Sequence, residues 1–111
     1  MRLRLELLPS ALADMDSIWN YSVEQWGEAQ AQGYVGALNA RMQGLLGFPL
    51  MGVAQHWLHP GLRRVGEGSH SIYYLPTDAA VRIVRVLHER MDVTRARITL
   101  QSPVSEYRAE S

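Results

Sequence analysis

From Arg2 to Leu8 polar and apolar residues alternate, with Leu3, Leu5 and Leu7 on one face and Arg2, Arg4 and Glu6 on the other. That is the period of a half-buried strand. Pro9-Ser10 breaks it, and Ser10 is a suitable N-cap for a helix starting at Ala11. The spacing then changes to threes and fours: Leu12, Met15, Trp19, Ser22/Val23 and Trp26 form one helical stripe. Asp14 and Asp16 fall near the first turn, where carboxylates suit the helix dipole. Gly27 predicts the stop, and Glu28 to about Gly47 predicts a second helix. Its stripe is Ala31, Tyr34, Val35, Leu38, Met42, Leu45 and Leu46, and so short a link implies an antiparallel helix hairpin. Gly33, Gly36, Gly44 and Gly47 each weaken that helix by up to about 1 kcal/mol relative to Ala. Either neighbours pack closely there or the last turn frays.

Phe48-Pro49 ends the helical pattern, and Leu50 to Leu62 reads as a loop punctuated by Pro60-Gly61. Arg63–Val65 begins a strand, Gly66-Glu67-Gly68 turns, and Ser71–Leu75 and Val81–Leu87 flank a hairpin turn at Pro76-Thr77-Asp78. The order is β-α-α-β-β-β, an α+β chain with a helix hairpin on a small twisted antiparallel sheet. Strict alternation places Arg85 with Val81, Ile83 and Leu87. If that face is the core, Arg85 needs a carboxylate from Asp14, Asp16 or Asp92, or a β-bulge must turn it away. Val93 to Leu100 reads as a short helix or an edge strand. Residues 1–95 form the domain and 96–111 a C-terminal extension with little to bury.

Composition narrows the functions. One hundred and eleven residues suit a single domain that buries roughly two-thirds of its unfolded surface. There is no Cys, which removes disulfides and thiolate metal sites and suits a reducing cytoplasm. No apolar run reaches the ~20 residues a membrane span needs. The net charge of +0 gives no global attraction to nucleic acid or lipid. All 11 basic residues are Arg, so lysine base and Schiff-base chemistry are unavailable.

Four segments, taken in order, carry a family resemblance: LPSALADMDSIWNYSVEQWG (Leu8–Gly27); the Gln30, Ala31, Tyr34, Leu38 pattern; PGLRR (Pro60–Arg64); and IYYLPTDAAVRIVRVLHERMD (Ile72–Asp92). With them the chain resembles ParE-type toxins of the RelE/ParE superfamily of bacterial toxin–antitoxin pairs. The resemblance implies a helix hairpin packed on a twisted sheet and a cytoplasmic toxin held inactive by a ParD-like antitoxin. It further implies inhibition of DNA gyrase, with no cofactor. The RelE branch instead cleaves mRNA on the ribosome, with Lys, Arg and a late Tyr on the open face of the sheet.

Hydrolysis of RNA requires a base or acid titrating near neutrality and cations aimed at the phosphate. Arg cannot supply the base. His70 or His88 could, and Tyr107 lies late in the chain. The structural reading of His88 is a partly buried ring bonded to Glu89, Asp92 or backbone. Arg63 and Arg64 read either as edge charges or, with Tyr73 and the apolar groove between helix hairpin and sheet, as contacts to an acidic, apolar antitoxin segment. Arg82, His88, Arg90 and Met91 form the expected gyrase-facing patch, and no catalytic residue is assigned. His56 and His59 lack a third ligand at metal spacing, so no metal is expected. Trp57 reads as a lid over the core, and Trp19, Trp26, Tyr34, Met15 and Met42 as core or hairpin contacts. The alternatives are an mRNA endonuclease of the RelE type and a non-toxic antitoxin-binding scaffold.

Overall fold

A computed structural model describes residues 3–94. β1 (Arg4–Leu7) leads into α1 (Pro9–Trp26) and α2 (Glu28–Gly44), followed by β2 (Val53–Ala54), β3 (Arg63–Glu67), β4 (His70–Pro76) and β5 (Ala80–His88). The strands form one sheet in the order β1-β5-β4-β3-β2. β1 runs parallel to β5 and the other pairs are antiparallel, so the sheet is mixed and not purely antiparallel. A parallel partner needs a crossover, here supplied by everything between β1 and β5. The two-residue β2 is an addition to the expected order, too short for any alternation to reveal it.

The helices differ from expectation at their ends and faces. α1 starts at Pro9, whose fixed φ and missing N–H suit the first helical position. Ser10 is therefore not the cap; its hydroxyl donates to the Val84 carbonyl of β5 at 2.9 Å. The fully buried residues of α1 are Ala11, Ile18 and Ser22; of the expected stripe Leu12, Met15, Trp19, Ser22/Val23 and Trp26, Ser22 is buried and Met15 packs against the core, whereas Trp26 is exposed. Gly27 stops α1 with φ +88, a value only Gly tolerates freely, and also opens α2. α2 buries Ala31, Leu38 and Met42 on the expected stripe. It closes at Gly44, after which Leu46 and Gly47 donate to the carbonyls three residues back. Gly33, Gly36 and Gly44 have open space where a Cβ would sit, so close packing does not explain them.

Two apolar layers sandwich the sheet. Against the helices lie Val65, Ile72, Tyr74, Val81, Ile83 and Val86, meeting Ala11, Ile18, Leu38 and Met42. On the other face Leu8, Leu62, Tyr73, Val84 and Leu87 pack with Leu58, Leu75 and Val93. Trp57 is no lid: it is 65% exposed, its indole N–H donating to Gln55. Tyr74, fully buried, donates to the Pro49 carbonyl and accepts from the Gly52 N–H, while Arg63 donates to the Leu50 and Gly52 carbonyls. Those bonds pin the α2–β2 loop to the sheet. A Cβ on Gly52 would lie 2.6 Å from the Tyr74 hydroxyl, so the loop's close approach requires Gly there.

The hairpin carries the decisive irregularity. Tyr74 pairs with Ile83 and Tyr73 with Arg85, so Val84 is an extra residue and β5 bulges. Alternation therefore changes phase: Val81, Ile83 and Val86 reach the helix side, and Val84 and Leu87 the other. Arg85 is released from the sheet face and meets Asp14 of α1 through a two-pronged contact, Nε to Oδ2 at 2.7 Å and Nη2 to Oδ1 at 2.9 Å. Asp14 Oδ2 also accepts the Val86 N–H at 2.9 Å. β1 pairs β5 only through Ile83, and the N–H of Leu8 takes the Ile83 carbonyl. Ser10 and Asp14, one helical turn apart, then serve the next backbone groups on that edge.

Asp14→Ala leaves both a part-buried guanidinium and the Val86 N–H without this carboxylate, whereas Arg85→Met leaves Asp14 its bond to Val86. Urea unfolding is expected to show Asp14→Ala losing about 3 kcal/mol, more than Arg85→Met. Equal losses would mean that the backbone contact contributes nothing.

Candidate functional site

The end of β5 and the start of β4 lie under the tip of the helix hairpin. His70 and His88 are register partners there, with ring centroids 5.4 Å apart and planes at 79°. The Tyr34 hydroxyl from α2 accepts the Ser69 N–H at 3.0 Å and lies 2.6 Å from His70 Nδ1, to which its own proton can be donated. Gly68 turns the chain beneath it at φ +58, and a Cβ there would lie 2.7 Å from the Tyr34 ring. The aromatic train continues through Tyr34 to Trp26 and from Trp26 to Tyr21. Together with Ser17, Ile18, Ser22 and Ser69 these side chains line a cleft of about 370 Å³.

Desolvation lowers the His70 pKa below its ordinary value, and the neighbouring His88 lowers it further; Asp14 and Glu89 act in the opposite direction. His88 is exposed, and its Nδ1 accepts the Arg90 N–H at 3.1 Å, so its bond is to backbone and not to Glu89 or Asp92. The partly buried environment expected for it belongs instead to His70.

The structure separates the other residues singled out from sequence. Arg64 pairs with Tyr73 across β3 and β4, on the face away from the helices. Burial raises the Tyr73 pKa, opposed by the Arg64 charge. Arg63 lies on the helix side, tied to the loop carbonyls. Arg82 pairs in register with Leu75 on the helix-free face, 3.2 Å from Glu6, which also holds Arg4 at 3.0 Å. Glu6 is only 3% exposed, beneath these guanidinium groups. His88 is six residues farther along β5, about 20 Å away at a strand's rise, on the opposite face. Arg90 and Met91 follow it and are exposed. Arg82 thus stands apart from the other three members of its expected patch.

His56 Nδ1 accepts the Gly61 N–H, and no group of three or more potential ligands among the described residues could hold a metal ion. Tyr107 and the extension 96–111 lie outside the described residues. The Tyr34–His70–His88 grouping was missed from sequence. The available signal was two histidines bracketing one hairpin, but without the bulge the register would set His70 opposite Leu87.

A hairpin of helices on a five-stranded mixed sheet defines the fold, and it recurs in a solved structure titled "Chromosomal ParDE TA system from P. aeruginosa". The match has a TM-score of 0.67 at 20% identity and covers 78% of this chain and 96% of that one. In sequence, the model for the ParE toxin of type II toxin–antitoxin system, parDE, matches residues 5–93. Toxin ParE1 of Mycobacterium tuberculosis is 36% identical over 96 residues, which cover 86% of this chain and 98% of the relative. Toxin ParE1 of Caulobacter vibrioides is 40% identical over 82 residues, covering 74% and 84% respectively. The chain belongs to the ParE toxin family of type II toxin–antitoxin systems.

The lowered His70 pKa fixes the sign of one pH effect. The unfolded chain, with His70 near 6.5, binds this proton more readily than the native state. The resulting contribution rises as pH increases through that region and is lost as pH falls below about 6.5. The melting temperature should fall between pH 7.5 and 5.5 by more in the unaltered protein than in His70→Gln. Parallel curves would remove His70 as the cause.

Proposed function

We propose that this chain inhibits DNA gyrase by binding it, within the cytoplasm, and is neutralised by a ParD-like antitoxin. Membership of the ParE family supports this reading most strongly. Among the described residues no helix is long and apolar enough to cross a membrane. The arrangement of ionisable groups favours docking over hydrolysis. The helix-free face carries Arg64, Arg82 and Tyr73, whereas His70 and His88 lie on the helix side. A phosphodiester on the open face would meet cations without the imidazole that general acid–base chemistry calls for.

Arg90 and Met91, standing with His88 at the free end of β5, form the gyrase-facing corner. A guanidinium beside a large flexible apolar side chain suits an interface centre, where Arg and Met are enriched. Arg82 contributes only from the opposite, helix-free face. Arg64 and Tyr73 contact the antitoxin, with Arg63 supporting them through the loop it holds. An ordering acidic segment can wrap several such positions on one small domain.

Purified protein is expected to stop gyrase supercoiling and to raise the fraction of cleaved DNA, both effects disappearing when antitoxin is added. Arg90→Ala combined with Met91→Ala should weaken inhibition about tenfold, equivalent to about 1.4 kcal/mol of binding, with the melting temperature unchanged because both side chains are exposed. Intact supercoiling together with cut transcripts would replace this reading with the endonuclease one. Absence of any growth defect would leave a non-toxic scaffold.

A further inference from the structure

Among the described residues the sheet ends in an open edge at β2. That strand pairs only with β3, through Val53–Arg64 and Ala54–Arg63, and stands last in the strand order. The Gln55 N–H donates to the Leu62 carbonyl at 2.8 Å, and an antiparallel ladder alternates between bonded and non-bonded pairs. Ala54, one residue before Gln55, therefore turns its N–H and C=O away from β3, toward the open edge. Edge strands ordinarily carry charges that discourage pairing with other chains. Here there are none: from Met42 to Leu62 no Asp, Glu or Arg occurs, in a chain that is 20% charged.

The same edge carries most of the exposed large apolar side chains among the described residues. Phe48, Leu50 and Met51 precede β2, Val53 lies in it and Trp57 follows it, all between 49% and 72% exposed. The loop presenting the first three is held in place, because Tyr74 and Arg63 bond to the backbone of Pro49, Leu50 and Gly52. Their exposure is therefore a fixed feature of the fold. Together the five side chains offer roughly 600 Å² of apolar surface, at the top of what a monomer ordinarily leaves in one patch. Each partner in a standard interface buries about 800 Å².

We propose that this edge pairs with the same edge of a second copy of the chain, across a two-fold axis at Ala54. In that register each Ala54 donates its N–H to the other's carbonyl, as a bonded pair of an antiparallel ladder does, and the two sheets become continuous. The five apolar side chains of both copies flank those bonds. Charge selects a second copy over an acidic or basic partner. A patch that meets itself across a two-fold axis cannot carry one sign of charge without facing that sign again, and this one carries none. The end of β5, with Arg90 and Met91, stands three strands away, roughly 14 Å at strand spacing, so pairing leaves that corner open on each copy.

Sedimentation equilibrium of the full chain over a dilution series tests this. The unaltered protein should show twice the chain mass and revert to the single mass on dilution. Ala54→Glu and Ala54→Arg, at an exposed position on the axis, should each weaken association about tenfold or more, because like charges then face each other directly. An equimolar mixture of the two should associate at least as tightly as the unaltered protein, since the facing charges are then opposite. Phe48→Ser removes exposed apolar area and adds no charge. It should weaken association while the melting temperature of the dilute single chain stays unchanged, and it decides the matter if either Ala54 variant fails to fold. A single mass at every concentration, variants that associate like the unaltered protein, or a mixture no tighter than either variant alone would overturn the proposal. So would a single-chain form whose affinity for antitoxin falls in Phe48→Ser, a result that gives the patch to the antitoxin.

Discussion

Asp14 joins the two layers of this molecule. Its carboxylate engages the Arg85 guanidinium through two bonds and accepts the Val86 N–H through a third. The contact compensates a consequence of the sheet's design. β1 is only four residues long and leaves the β1-side edge of β5 without a strand partner beyond Ile83, and unpaired edge groups invite pairing with other chains. α1 covers that edge with side chains where a longer strand would have used backbone. The bulge at Val84 makes this possible because it lets Arg85 leave the sheet face and reach the helix. It also allows Val84 and Val86 to enter different apolar layers, so both faces of a thin sheet remain filled.

The all-arginine composition acquires a structural sense from these pairs. At Asp14 one guanidinium spans two carboxylate oxygens, a planar match that an ammonium group cannot make. At Glu6 two guanidinium groups from neighbouring strands cover a buried carboxylate. Arg63 uses one Nη1 to bridge two loop carbonyls. These arginines organise parts of the fold, which separates them from Arg90 at the exposed end of β5.

Much of this was legible in the residue pattern. The strand at Arg4–Leu7, the Gly27 break and the α2 stripe each map onto an observed element, although within β1 it is Glu6, paired with Arg4 and Arg82, that is buried while Leu5 and Leu7 are half-buried. The misplaced features depend on relations between elements. α1 buries a face shifted toward Ala11 and Ile18, keeping Ser22 and Met15 of the expected stripe, because its burial is shared with an ion pair: Asp14 faces β5, and Trp26 is left outside. Ser10 has the composition of a cap, yet Pro9 took the first helical position and freed the hydroxyl for a strand carbonyl. Arg85 announced a conflict that a carboxylate or a bulge could resolve, and the fold uses both. The expected gyrase patch failed to assemble as a unit for the same reason: Arg82 and His88 share a face only if β5 has no bulge.

A bulge near the middle of a strand changes everything beyond it, which explains why the candidate site lies where it does. Before Val84, β5 is held by β1 and β4; beyond it, the helix hairpin supervises one edge and the strand's last residues pass outward to Arg90 and Met91. The one-residue phase change brings His88 opposite His70 and beneath the aromatic tip. In an unbulged hairpin Leu87 would stand opposite His70. The same insertion thus supplies Arg85 to stabilise the fold and His88 to equip its surface. A scaffold that converts one backbone irregularity into a pair of facing imidazole rings and an adjacent exposed cationic corner is suited to engaging partners at one end of the sheet.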